Sequence, residues 1–262
     1  MPPYPHGVAR FDSATLKQPR WILAIIVGVL LAAVFVRLGI WQLDRLEERR
    51  ARNALTQERI TAEPAAFDSL IATHGLDPEE LNLRLAVVSG VYRPDLEFIS
   101  VGRTVGDATG TLVATPLELD DGTLLVVVRG IVPAGTDGPP VVGYETPQGQ
   151  VTVVGTLEDG EEPLRIGEPD PEDGVLTSLS RVDLAFVDTW IDGTVLPVLL
   201  TLVDQDPANR AGDPIPIPPD ELTEGSHLGY AIQWFGFALV VIVGVGILVW
   251  RSGSKEKTEP VG

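Results

Sequence analysis

Residues 21–43, WILAIIVGVLLAAVFVRLGIWQL, contain a single charge, Arg37. At about 1.5 Å per helical residue this stretch is just long enough to cross the ~30 Å hydrocarbon core of a bilayer. A second stretch, residues 226–250, SHLGYAIQWFGFALVVIVGVGILVW, is as long and carries no charge. The fold expected is a membrane protein with two transmembrane α-helices flanking an extracytoplasmic, mainly antiparallel β domain, a small sheet or barrel. The boundaries expected are a cytoplasmic tail over 1–20, a span over 21–43 and a membrane-exit helix over 44–63. The β domain follows over 64–225, then a span over 226–250 and a cytoplasmic tail over 251–262. A cleaved signal peptide has a shorter apolar region than residues 21–43, so an uncleaved anchor is expected.

Charge sets the orientation. Residues 44–225 hold 12 Arg, no Lys and 34 acidic residues, a formal net of −22, which disfavours nucleic acid and anionic lipid as partners. Both short tails lean positive, with Arg10, Lys17 and Arg20 in one and Arg251, Lys255 and Lys257 in the other. Positively charged flanks stay in the cytoplasm, so the acidic loop is expected outside. Arg45, Arg49, Arg50 and Arg52 pull the other way, but they sit among acidic residues on a long loop. The 16 Arg to 3 Lys skew fits a GC-rich genome and, with this topology, a bacterial plasma (inner) membrane. There is no cysteine and Met1 is the only methionine, which removes disulfides, thiol exchange, covalent c-type haem and Cys or Met copper sites.

Beyond the first span, DRLEERRARNALTQERI (44–60) contains only helix-compatible residues, with neither Gly nor Pro before Pro64, so the helix is expected to run on out of the bilayer and dock on the loop domain. The pattern then becomes short β-type runs at 83–92, 97–102, 111–119, 123–132, 151–158 and 194–203. Asp120–Gly122 supplies a tight hairpin turn between the third and fourth. Residues 158–174 and 204–225 are rich in Pro, Gly and acid and read as solvated loops.

Nucleophilic catalysis has little support: G-x-S-x-G is absent and only His6, His74 and His227 are available as bases. DPEDG (170–174) lacks the alternating acidic spacing and distal Glu of a calcium loop. Arg37 is costly inside a span; it reads as an interfacial anchor or as the partner of an acidic group, with Trp41 four residues on along the same face. His227 opens the second span behind Ser226, a candidate N-cap. The positive end of the helix dipole favours the neutral ring there, competent to ligate a metal. Tyr230 and Trp234 follow at i+3 and i+7 and would present an aromatic wall beneath the histidine, suited to a flat macrocycle. The plain alternative is an interfacial aromatic belt with a polar cap.

LGIWQLDR at the exit of the first span and HLGYAIQWFGFA at the start of the second resemble the span-edge motifs of the surfeit-locus (Surf/Shy) family of cytochrome c oxidase assembly factors. GVYRPD (90–95), TPLELDDGTLLVVVRGIVP (115–133) and VTVVGTLE (151–158) are similar to that family in the same order. The resemblance implies a non-enzymatic role in the biogenesis of a-type haem–copper oxidases. It places the family's Gly-x-Trp-Gln on Gly39, Trp41 and Gln42, and its haem-linked membrane-edge histidine on His227. Tyr230, Trp234, Phe235 and Gly236 match the rest of the second motif, and Arg129 and Gly130 the Arg-Gly pair. Gly225 and Ser226 stand where the family commonly has Asn-Asn, and Ile131 where it has an aromatic.

The candidate cofactor is therefore haem a, with His227 as iron ligand and Tyr230, Trp234, Arg37 and Trp41 around it. Gly39, Gln42, Gln233 and Gly236 are the candidate partner contacts. The partners expected are the catalytic subunit of cytochrome c oxidase, haem A synthase, a respiratory supercomplex and the lipid bilayer. Without Cys or Met ligands the chain is unsuited to copper delivery. Two other readings stand beside this one: a scaffold or accessory subunit retained in the assembled oxidase, and an unrelated extracytoplasmic ligand-binding or sensor module.

Overall fold

The structure, a computed structural model, describes residues 18–105, 108–136, 138–162, 176–208, 214–219 and 222–253. The chain forms two compact units. One holds the chain up to Ala54 together with the segment from Leu222; the other is Leu55–Glu221.

The first unit is a pair of helices. Helix α1 (Pro19–Thr61) runs unbroken for 43 residues, about 65 Å at the standard rise, because nothing from Arg20 to Thr61 removes a backbone donor. Helix α5 (His227–Gly253) is its partner. Both are long and apolar enough to cross a membrane. The buried residues of α1 are Gly28, Ala32, Gly39 and Leu46, the last three at heptad spacing. On α5 they are Ala231 and Ala238, also seven apart. Small residues at this period let two backbones approach along a seam.

The second unit is built on β2 (Leu85–Tyr92), β3 (Phe98–Val105), β4 (Ala108–Glu118), β5 (Leu124–Pro133), β6 (Gln150–Asp159) and β8 (Val195–Asp206). Each overlaps one of the six expected runs. The order β2-β6-β8-β5-β4 is closed by Val91 and Tyr92 of β2 pairing with Glu118 and Leu117 of β4, so five strands form a ring. Two-residue strands β1 (Ala65–Ala66) and β7 (Ser178–Leu179) join at β2 and β3. Three short helices were not expected: α2 (Phe67–His74), α3 (Pro78–Leu81) and α4 (Leu184–Trp190).

The sheet expected to be mainly antiparallel has mostly antiparallel pairings, but it is mixed. β5 and β8 pair in parallel, as do β1 with β2 and β3 with β7. β5 is buried on both faces: Leu125 and Val127 join the core inside the ring, while Leu124, Val126 and Val128 pack into a second core with Leu184 and Val187 of α4. A strand covered on both sides reads as a continuous apolar run, as a strand in a parallel sheet does. The 120–122 turn is a three-residue loop. Gly122 N–H donates to the Leu119 carbonyl, Gly122 adopts φ 81°, and Asp121 accepts from the Thr123 N–H and hydroxyl.

Candidate functional site

The membrane-edge histidine meets the glutamine of the other helix. His227 Nδ1 lies 2.9 Å from Gln42 Oε1. With the Gln42 carbonyl as acceptor, Nδ1 carries the hydrogen and a neutral ring keeps its lone pair on Nε2. That is the orienting arrangement that metal-ligating histidines use. The helix starts with the Ser226 carbonyl accepting from Tyr230 N–H, at 3.1 Å.

Below this pair the seam is aromatic. Phe35 stacks on Trp234 with ring centroids 5.6 Å apart, and Phe237 closes the cluster at 5.8 Å from both. Ala231 and Ala238 are fully buried between α5 and α1, while Tyr230 is half exposed. Gly39 faces the Phe235 ring so closely that a Cβ there would sit 2.7 Å from its edge. The seam therefore uses Gly39, Gln42, His227 and Trp234 together. Gly39 and Gln42, expected as partner contacts, are engaged within the chain.

Arg37 and Trp41 lie elsewhere. Each is two residues from Gly39, which is about 200° around the helix, and both are exposed. The expected proximity of Arg37 to Trp41 is replaced by Arg45 over the Trp41 ring, 5.8 Å from its centroid. The reason is directional: helical side chains lean toward the N-terminus, so an arginine reaches back onto the turn before it. Gln233 and Gly236 are likewise turned from the seam, each two residues from a buried alanine, and no atom lies within 4 Å of a Cβ built at Gly236.

The segment leading into α5 is clipped to the charged extension of α1, beyond its apolar stretch. Arg50 donates two hydrogen bonds to the Glu224 carboxylate, both 2.8 Å, and the Thr223 carbonyl accepts from Arg49 and Asn53. The Arg50 guanidinium holds the Glu224 carboxyl below its ordinary pKa.

In the β domain the Arg-Gly pair sits at a bulge. Val113 pairs with Gly130 and Ala114 with Val128, leaving Arg129 as the extra residue. Its side chain is buried: it bonds Glu97 at 3.2 Å and the Tyr144 carbonyl at 2.7 Å, and its guanidinium carbon lies 5.9 Å from the Tyr92 ring centroid. Glu97 also accepts from the Thr115 hydroxyl and Val141 N–H. Gly130 has φ 138°, and a Cβ there would collide with the Ile215 carbonyl, whose bridge to Ile131 runs across the same spot. Glu97 was not a candidate from sequence, since one Glu at the head of a strand carries no signal of burial.

His74 lies 3.9 Å from Glu80 at the end of α2. His6, most of both tails and the DPEDG segment lie outside the described residues. Among the described residues no group of three or more His, Asp and Glu is arranged to hold a metal ion.

The SURF1 family model matches residues 29–239, a range that takes in the seam from Phe35 to Phe237 and the whole β domain. The chain belongs to the SURF1 family. SURF1 proteins are generally cytochrome oxidase assembly factors. A SURF1-like protein of Mycobacterium tuberculosis is 24% identical over 252 residues, 95% of this chain and 90% of its own length. SURF1-like proteins of Monosiga brevicollis and Rickettsia bellii are each 24% identical, over 84% and 80% of this chain and 84% of their own lengths. Two apolar helices, the first near the N-terminus, fit a membrane-anchored member of that family.

Proposed function

We propose that the chain is a non-enzymatic assembly factor for an a-type haem–copper cytochrome c oxidase, and that it handles haem a at the His227 end of the helix pair. It sits in a bacterial plasma membrane with both termini cytoplasmic and the β domain outside. The observation that carries this reading is the His227–Gln42 hydrogen bond, because it orients an imidazole and leaves Nε2 for a metal. The donor set fits the group: a neutral nitrogen for iron, with Tyr230 half exposed beside it and Trp234 stacked on Phe35 below. Bound haem a would supply the redox centre of the oxidase. His227 would hold its iron, Gln42 would fix the ring, and the aromatic cluster would exclude water from one flank.

The catalytic subunit of the oxidase is the partner proposed to receive the haem. Haem A synthase is the candidate source, and a respiratory supercomplex the wider setting. Gln233 and Gly236, turned away from α1, are proposed to meet a partner helix.

The test is spectral. Protein purified from cells that make haem a is expected to show a haem spectrum that His227→Ala abolishes; colourless wild-type protein would remove the haem reading and leave assembly standing. Deleting the gene is expected to deplete the a-type haem signal of the membranes, and a normal signal with normal oxidase activity would remove both.

A further inference from the structure

Arg37 is the single charge of residues 21–43 and faces away from the helix seam. Leu30 and Val34, seven and three residues before it on the same stripe, are 61% and 53% exposed. Among the described residues no carboxylate or carbonyl bonds its guanidinium, and the ring that might have covered it, Trp41, is taken by Arg45. Given the membrane reading above, a guanidinium with five donors is thus presented to the apolar surroundings of α1.

Two escapes exist for such a group, and the helix disfavours one of them. Asp44, at the outer end of the apolar stretch, is seven residues further on, about 10 Å along the axis. A guanidinium can snorkel toward headgroups, but side chains lean toward the helix N-terminus, which here points inward and away from that nearer surface. The other escape is a carboxylate at the same depth, which matches the planar fork with two parallel hydrogen bonds. Gln42 is five residues from Arg37, about 140° around α1, so a carboxylate on a neighbouring helix would approach Arg37 from a different side than the Gln42–His227 contact.

We propose that the Arg37 face of α1 docks a transmembrane helix of a partner protein that carries an Asp or Glu at matching depth. The proposal rests on the membrane assembly reading and names the contact by which the partner is held.

The test uses the full chain in native membranes, with a photo-crosslinking amino acid at Leu30. A protein adduct is expected, reduced roughly tenfold or more by Arg37→Leu, as for loss of one member of a desolvated charge pair, and reduced less by Arg37→Lys, which keeps the charge but not the fork. Arg37→Glu should lose the adduct and regain it when the carboxylate mapped on the partner is replaced by Arg. An adduct that Arg37→Leu leaves intact, or adducts with lipid alone, would overturn the proposal. Colourless wild-type protein that still forms the Arg37-dependent protein adduct would support the contact while removing the haem reading, which separates the two.

Discussion

At the scale of single residues, the chain invests in two polar contacts that hydrophobicity would not have chosen. The Glu97–Arg129 pair is buried inside the β domain, where two charges lose their hydration and are compensated by each other, Thr115, Val141 and the Tyr144 and Glu145 carbonyls. Removing one partner strands the other. Arg129→Ala is expected to cost about 3–5 kcal/mol in a denaturant titration of the detergent-solubilised chain, while a paired apolar replacement of Glu97 and Arg129 should lose far less. An equal loss from both would show that the pair is not the cause. The Gln42–His227 contact is different in kind, since it orients rather than buries. Gln42→Leu is expected to weaken haem retention about 10- to 100-fold, as loss of an orienting partner does at metal sites, with the helix content unchanged by circular dichroism. His227 was legible from its span-edge motif, and Gln42 from its own. Their bond was not, because 185 residues separate them and only the antiparallel packing of α1 and α5 brings them together.

At the scale of elements, the helix pair depends on close approach and on a clip. Gly39 abuts the Phe235 ring, so Gly39→Leu should force α1 from α5 and break the Phe35–Trp234 stack. Tryptophan fluorescence and the His227-dependent haem spectrum should change together in that variant. The clip at Glu224 depends on pH with a definite sign. Arg50 favours its ionised form, so the native pKa lies below the unfolded one. The stabilisation is therefore complete above the ordinary carboxylate range and lost as pH falls through the lower native value. Amide protection at residues 223–230, taken relative to the intrinsic exchange rate at each pH, is expected to fall at acid pH, and Glu224→Gln should show the low protection already at neutral pH. The same scale explains what the sequence pattern conveyed. The six long strands were readable because each apolar run ends at turn residues such as Asp120–Gly122. The parallel β5–β8 pairing was not, since pairing is decided by which distant strand covers which face; the unbroken LLVVV of 124–128 was its only trace. Helix α4 was missed because seven residues of LAFVDTW are too few to display a helical period.

At the scale of the whole molecule, the charge distribution separates two environments that one chain must occupy. Thirty-four acidic residues against 12 Arg between residues 44 and 225 make that segment soluble and repel it from anionic lipid, while the lysines and Arg251 lie at the ends. Insertion with the tails outside would drag positive flanks across the membrane against its potential, which is the physical argument for the orientation proposed above, with the acidic domain outside. The absence of cysteine makes this directly measurable, because a single introduced thiol is the only one in the chain. Asp120→Cys, in the exposed turn between β4 and β5, is expected to react with a membrane-impermeant maleimide on intact spheroplasts. Lys255→Cys, in the C-terminal tail, is expected to react only after lysis. The reverse pattern would place the β domain in the cytoplasm, and His227 with it, on the side where an extracytoplasmic haem hand-over could not occur.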